Sequence, residues 1–248
     1  MTAQRLLLRI LATAAALVLP PSPALAGSFS ISPVGAELSA AAQTEAFTLR
    51  NQEDAPVVVQ AEMMLWEQVD SADRLTPTRD VLVSPAVFTI PGKGSQLVRV
   101  ALRRPADEQR ELSYRLLLTE VPQQTESTVT GLNMALRLSL PVFVAPRALS
   151  DARLEWTVAP AGAGVPLTVR NTGNAHARVL SFSVTPEGAA APVMQRNIAT
   201  YVLPGQARTW TLDNNNDQVT ASTEWRRLRV KGSTESGDFE VEARPSGP

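Results

Sequence analysis

Residues 131–144 read GLNMALRLSLPVFV, and this stretch decides the fold class. An apolar side chain stands at every second position from Leu132 to Val142, whereas the other face carries small or polar residues and one arginine up to Pro141. Strict alternation predicts a β-strand with one apolar face, because successive side chains of a strand point to opposite sides. The predicted strand is longer than the ~5–6 residues usual in globular proteins. Its long apolar face therefore has to be buried against another surface.

The segments on both sides of this stretch have the same character. From Phe29 onward, Val, Leu, Thr and Phe alternate with polar residues in short runs, and Pro, Gly, Asn and Asp interrupt them about every ten residues. Helical periodicity is not sustained anywhere in the sequence. This pattern is typical of an all-β sandwich protein.

The two halves of the chain contain similar sequence segments in a similar order. FTLRNQEDAPVVVQAEM (47–63) matches LTVRNTGNAHARVLSFSV (167–184), since each is a strand ending in Arg-Asn, a polar turn and a second strand. IPGKGSQLVRV (90–100) and LPGQARTWTL (203–212) are a second pair, each a Pro-Gly turn that leads into a strand. The repeat predicts two sandwich domains of similar plan, joined near residues 146–150.

The first 26 residues predict a secretory signal peptide. They carry two arginines, an apolar run of about ten residues after Arg9, prolines and the small-x-small triplet 24–26, which predicts cleavage after Ala26. The run is shorter than the ~20 residues that span a bilayer, so we expect a soluble exported protein without membrane insertion. An uncleaved amphipathic anchor is the alternative.

Composition limits the chemistry. The chain has no cysteine, which excludes disulfides, zinc–thiolate sites and thiol catalysis. It has 23 basic and 24 acidic residues, and loss of Arg5 and Arg9 with the signal peptide leaves 21 against 24, a net charge of −3. This balance does not indicate a nucleic-acid partner. About 220 remaining residues are enough for one large core or two smaller ones.

Enzyme motifs are missing from the sequence. The single histidine, His176, lies in the turn NTGNAHARV without any Gly-x-Ser-x-Gly, which predicts an ordinary surface-turn histidine. Walker and Rossmann fingerprints are absent, and no Asp-rich loop has metal-binding spacing. Ligation by scattered carboxylates and a glycosidase carboxylate pair stay open, because such sites carry weak sequence signals. The sequence favours a protein that is not an enzyme and has no cofactor or metal site.

The order of three segments resembles a known family. SQLVRVAL (95–102), ELSYRLLLTEVP (111–122) and GLNMALRLSLPVFVAP (131–146), with a polar loop over 122–131, are similar to the end of the first domain of PapD-like periplasmic chaperones of the chaperone–usher pilus pathway. ISPVGAEL, LWEQVD and LTPTRDVLVSPAVFTIPG look like the archaic branch that assembles spore-coat-U-type pili.

The resemblance implies a domain plan and a location. It implies two immunoglobulin-like β-sandwich domains set at an angle, over residues 27–147 and 148–248, in the periplasm. Members of the family fold and cap pilus subunits, which are incomplete immunoglobulin-like sandwiches without their last strand. They then deliver the subunits to an outer-membrane usher. A cofactor is not implied.

The resemblance also implies a role for the opening stretch, namely donor-strand complementation of the subunit. The implied donor side chains are Leu132, Met134 and Leu136, with extension to Leu138 and Leu140. The C-terminal end of the strand, from about Leu140 to Val142, is expected to fill the protein's own core. The loop over 122–131 is expected to be mobile.

In this family two basic side chains anchor the subunit's C-terminal carboxylate, and here the sequence departs from the pattern. Residues 28–49 contain no Lys or Arg, and the position of the anchor lysine is Pro141. Arg115 is our first candidate for a replacement and Arg137 the second. A buried carboxylate without a cation would be costly.

Two further residues are assigned by resemblance to the contact between domains. Glu120 corresponds to a family glutamate that helps to orient the domains, although Ala145 replaces its usual arginine partner. Arg147 is the candidate substitute. Two rival functions stay open at this stage: a secreted two-domain β-sandwich that binds a carbohydrate or other ligand, and a carboxylate-based hydrolase.

Overall fold

The computed structural model describes residues 29–122, 135–159, 165–212 and 227–245. These residues form seventeen β-strands and no helix, which confirms the all-β fold class. Accordingly, this part of the chain contains no helix of the length and apolar character needed to cross a membrane. The predicted signal peptide, the loop residues 123–131 and the donor candidates Leu132 and Met134 lie outside the described residues.

Strands β1 to β10 form the first sandwich. Their bounds are β1 Phe29–Ser32, β2 Ala36–Leu38, β3 Thr44–Asn51, β4 Val57–Val69, β5 Ala72–Pro77, β6 Val81–Ser84, β7 Val87–Ile90, β8 Ser95–Leu102, β9 Leu112–Val121 and β10 Arg137–Val144. One sheet has the order β1-β3-β8-β6, and the other has the order β2-β10-β9-β4-β5, with β7 also paired to β4. Apart from the parallel pair β10–β2, these pairs are antiparallel.

The core of the first sandwich lies between these sheets. Alternate side chains of β3 and β8 point inward, so Phe47, Leu49, Val98 and Val100 are almost completely buried. Inward residues of β9 and β10 meet them from the other sheet. The period of two in the sequence is therefore the period of burial, which is the signature of stacked sheets with one solvent-facing side each.

Strands β11 to β17 form the second sandwich. Their bounds are β11 Leu154–Val158, β12 Val165–Asn171, β13 Ala177–Pro186, β14 Met194–Val202, β15 Ala207–Leu212, β16 Leu228–Thr234 and β17 Gly237–Pro245. The strand order is β14-β13-β16-β17-β11-β12-β15, and β17 joins the two parts because it pairs antiparallel with β16 and parallel with β11. Trp156, Leu167, Phe182 and Val230 lie in the enclosed core.

The repeated sequence segments occupy equivalent places in the two sandwiches. Strand β3 pairs with β8, and β12 pairs in the same antiparallel manner with β15. Asn51 and Asn171 end β3 and β12, are both fully buried, and donate from Nδ2 to backbone carbonyls of the turn that follows. The Arg-Asn repeat thus marks a buried amide that fastens one turn in each domain.

The two sandwiches contact each other through a small apolar cluster. Trp66 and Phe143 of the first sandwich pack with Leu203 and Tyr201 of the second. Beside them, Gln68 is 3% exposed, donates from Nε2 to the Tyr201 carbonyl at 2.9 Å, and accepts from the Leu203 amide at 3.1 Å. A buried side chain of one sandwich therefore satisfies backbone groups of the other.

The prediction of a surface-turn histidine was wrong. The His176 side chain is 12% exposed, and its ring stacks on Phe143 at 3.6 Å between centroids. Nδ1 lies 2.9 Å from a Glu111 carboxylate oxygen, and Nε2 lies 3.2 Å from Glu235. The turn itself is local, but the first sandwich packs against it, and sequence periodicity carries no signal for that contact.

Candidate functional site

Strand β10 is paired unevenly on its two sides. All eight of its residues pair with β9, from Arg137 opposite Thr119 to Val144 opposite Leu112. On the other side, β2 pairs only with residues 142–144. Within the described residues, 137–140 thus form a strand edge whose backbone groups face no second strand. An edge of this kind is a template for pairing with another chain.

Burial along this strand changes from one end to the other. Val142 is fully buried and Leu140 is 7% exposed, and both belong to the core of the first sandwich. Leu138 is half-buried and packs against that core, and Leu136 is half-buried just before the strand begins. The structure therefore uses Leu140 as a core residue, which narrows the described donor side chains to Leu136 and Leu138.

Arg115 lies on the opposite face of the same sheet. It stands in β9 across from Pro141, and its guanidinium carbon lies 3.6 Å above the Trp66 ring centroid and 5.5 Å from that of Tyr201. Its Nη1 approaches the Ser139 carbonyl at 3.5 Å. Burial lowers the pKa of Arg115, with Asp73 opposing, yet an arginine stays cationic under all ordinary conditions. A cation thus sits beside the open edge.

The second anchor candidate is not part of this arrangement. Arg137 is exposed at the start of β10, opposite Thr119, whereas Arg115 is opposite Pro141. Four residues of extended ladder put the two positions about 13 Å apart. The structure does not bring these arginines together.

The predicted interdomain pair Glu120–Arg147 does not form. The Glu120 carboxylate accepts a hydrogen bond from the Leu136 amide at 3.2 Å, within the first sandwich. Arg147 pairs instead with Glu108 at 3.3 Å. The reason is the position of Glu120 near the end of β9, beside the residues that precede β10. Its carboxylate therefore binds the backbone just before β10 begins.

Sequence reasoning identified Arg115 but missed the residues that surround it between the sandwiches. We call Trp66, Arg115, Arg178 and Tyr201 the interdomain arginine cluster. Arg178 lies on β13 with its guanidinium carbon 5.3 Å from the Tyr201 ring centroid, and Trp66 meets that ring edge-on at 5.4 Å. In the sequence, Arg178 is an ordinary polar position of an alternating strand, so no signal marked it.

Among the residues that the structure covers, no three His, Asp or Glu side chains are grouped in a way that could hold a metal ion. What the site offers is an open strand edge, leucines on one face and a cation on the other. These are the features that addition of a strand from another chain would use.

Comparison with known proteins shows what the first sandwich is similar to. Residues 28–150 match the family described as "Pili and flagellar-assembly chaperone, PapD N-terminal domain". The match covers the whole first sandwich and the short link after it. The "Probable fimbrial chaperone EcpB" of Escherichia coli is 26% identical over 137 residues, 53% of this chain and 56% of that protein. The chain thus spans about half the length of the curated relatives it matches.

Solved structures extend the likeness in fold to both sandwiches. A chain of the CsuC–CsuE chaperone–tip adhesion subunit pre-assembly complex, from archaic chaperone-usher Csu pili of Acinetobacter baumannii, is 22% identical with a TM-score of 0.66, over 89% of this chain and 100% of that chain. A chain of the Salmonella enterica SafA pilin complex with the SafB chaperone is 18% identical with a TM-score of 0.59, over 88% and 96%.

Proposed function

We propose that this protein is a periplasmic chaperone that folds and caps pilus subunits by donor-strand complementation. The observation that carries the proposal is the edge of β10, which has no second strand over residues 137–140 within the described chain. A subunit that lacks its last strand exposes two strand edges and an apolar groove, both of which promote aggregation. Pairing with β10 satisfies the backbone groups of such a subunit and fills its groove.

The energy of capture comes from alternate leucines. Leu136 and Leu138 are half-buried in the free protein, so each has apolar surface left to bury against a subunit. Complete burial of a leucine stabilises by about 1.5–3 kcal/mol, and a half-buried one contributes a part of that. Several such side chains, continued through Leu132 and Met134, would offset the cost of association.

Arg115 is proposed to hold the C-terminal carboxylate of the subunit. Burial disfavours its charge, and the acid that favours that charge most, Asp73, is already ion-paired with Arg208. A charge-assisted hydrogen bond from arginine to a carboxylate would restore that compensation. Binding of the subunit's C-terminal carboxylate to Arg115 would then fix which subunit residues pair with which residues of β10.

The remaining elements of the proposal concern location and delivery. The signal-peptide features of residues 1–26 support export to the periplasm. The match of the first sandwich to the PapD N-terminal domain, and the likeness to chains of chaperone–subunit complexes, support pilus subunits as cargo and an outer-membrane usher as the acceptor. The activity is binding, without turnover or cofactor.

In the part of the chain that the structure describes, no observation favours the rival function as a carbohydrate-binding sandwich. Exposed aromatic platforms would be expected of such a protein. Trp66 is 2% exposed and Trp156 is 3% exposed, so both serve as packing residues. Trp225 lies outside the described residues.

The proposal is tested by co-expression in a bacterial periplasm with the small β-rich secreted proteins encoded beside this chain. The tagged protein is purified, and mass spectrometry identifies what co-elutes. Leu136→Asp is expected to abolish stoichiometric capture of a subunit, because it places a charge on the groove-filling face. Ala135→Asp is the matched control, since Ala135 is exposed on the other face and its change should preserve capture. Recovery of the wild type alone, without any subunit, would contradict the proposal.

Arg115→Gln gives a second test. It should weaken subunit binding by roughly tenfold or more while leaving the chaperone folded, because a cation–carboxylate hydrogen bond is lost. Arg99→Gln is the control, since Arg99 is exposed on β8, in the other sheet of the first sandwich. Equal loss of binding in both variants would show a general effect of positive charge instead of an anchor.

A further inference from the structure

Glu120 binds both backbone groups of Leu136. The Glu120 amide donates to the Leu136 carbonyl at 2.9 Å, and the Glu120 carboxylate accepts from the Leu136 amide at 3.2 Å. In a regular antiparallel pair, that amide would donate to the backbone carbonyl of the residue opposite. The Glu120 side chain therefore takes the place of a ladder bond immediately before β10 begins.

The carboxylate stands on the face of the sheet that carries the donor leucines. Leu136 lies opposite Glu120 in the register that continues from Leu138 opposite Leu118. Residues directly opposite each other in an antiparallel pair share one face. Leu116 and Leu118 are buried on this face, and Glu120, two residues further along β9, is half-buried. The apolar row of β9 thus ends in a carboxylate beside a donor leucine.

The start of β10 is held from one side. Leu140 and Val142 fix the other end of the strand by their burial in the core. In the part of the chain that the structure describes, residues 137–140 pair with β9 alone. If this end separated from β9, its side chains would no longer be kept on fixed faces, because alternation depends on an extended, paired strand. A strand already held in register binds a partner at a lower entropic cost.

We propose that Glu120 is a positioning residue for subunit capture. Resting on the function proposed above, we infer that its carboxylate keeps Leu136 and Leu138 in register with β9, so that both side chains face the subunit groove before a subunit arrives. Loss of the carboxylate should therefore slow capture. The finished complex should be affected less, because there the subunit strand itself pairs with the open edge of β10.

The first test measures hydrogen exchange of backbone amides by NMR in the free protein and needs no subunit. Glu120→Ala should speed exchange of the Leu136 amide by about tenfold, because its acceptor is lost, and should also speed exchange at Leu138. The Leu140 amide should exchange as in the wild type, since that residue is buried in the core. Glu120→Gln should restore most of the protection, because glutamine keeps an acceptor oxygen.

Glu62→Ala is the matched control for this experiment. Glu62 is exposed on β4 of the same sheet and lies opposite Leu117, so the substitution removes an equal charge from the other face. The amides of Leu136 and Leu138 should exchange in this variant as they do in the wild type. Circular dichroism of each variant shows that it is folded.

The second test measures the rate of capture. The subunit that co-purifies with the wild type is unfolded in urea and diluted into an excess of each variant, and size-exclusion chromatography at successive times follows complex formation. Glu120→Ala should slow association by about fivefold and leave the dissociation rate within about twofold of the wild type. Glu120→Gln and Glu62→Ala should associate at close to the wild-type rate. Loss of a direct contact with the subunit would instead raise the dissociation rate.

The outcomes separate the positioning role from the proposed function. Unchanged exchange at Leu136 or at Leu138 in Glu120→Ala overturns the positioning role. So does faster exchange at both amides without slower association. A protein that captures no subunit but shows the expected exchange pattern overturns the proposed function, and leaves Glu120 as the residue that fixes the start of β10.

Discussion

Replacement of Asn171 by alanine should destabilise the second sandwich strongly. Asn171 is fully buried, donates from Nδ2 to the carbonyls of Ala175 (2.7 Å) and Val202 (2.9 Å), and accepts at Oδ1 from the amides of Gly173 (3.0 Å) and Arg153 (3.2 Å). Each of the four backbone groups would lose its partner. At about 1 kcal/mol for each lost hydrogen bond, Asn171→Ala should reduce the free energy of unfolding by about 4 kcal/mol.

The measurement is urea unfolding followed by circular dichroism, with the wild type and a control variant under the same conditions. Asn197→Ala is the control, because Asn197 is exposed on β14 and should change stability by less than about 0.5 kcal/mol. A loss below about 1 kcal/mol in Asn171→Ala would refute the argument. It would show that water or a rearranged turn satisfies these backbone groups without the amide.

Two other perturbations address the contact between the sandwiches and the core. His176→Gln should reduce the free energy of unfolding in urea by about 1–3 kcal/mol, because the 6% exposed Glu111 carboxylate loses its ring partner. An unchanged free energy of unfolding would show that the contact is incidental. Burial, with the charge of Asp80, raises the pKa of Tyr114 above its ordinary value of 10.0. Above pH 10 the folded chain thus keeps a proton that the unfolded chain loses, so the free energy of unfolding should fall as the pH rises further. Tyr114→Phe should make this fall with pH less steep in unfolding experiments at about pH 9–11. An equally steep fall in both proteins would contradict the argument.

The pattern of strands was predictable because it depends on local information. Alternation of apolar and polar residues reports which face of a strand is buried, and the matched Arg-Asn segments lead to Asn51 and Asn171 in equivalent turns. The expectation that the end of the opening stretch fills the protein's own core agrees with the complete burial of Val142. Leu132 and Met134 lie outside the described residues, so their donor role stays a prediction.

The partners of charged residues were not predictable in the same way. Glu120 was expected to meet Arg147, but each has a nearer partner, in Leu136 and Glu108. An ion pair depends on separations of a few ångströms between side chains that the sequence places far apart. Periodicity within a strand holds no record of such distances.

By itself, the sequence of this protein determined an all-β fold, a two-part repeat and a long amphipathic strand, since each of these is written in the spacing of neighbouring residues. The contacts between the two sandwiches, in contrast, became visible in the tertiary structure alone. It placed His176 between two carboxylates and brought Arg115 and Arg178 to one tyrosine ring. These contacts form where two sandwiches with separate cores meet, and charges act through space and not along the chain.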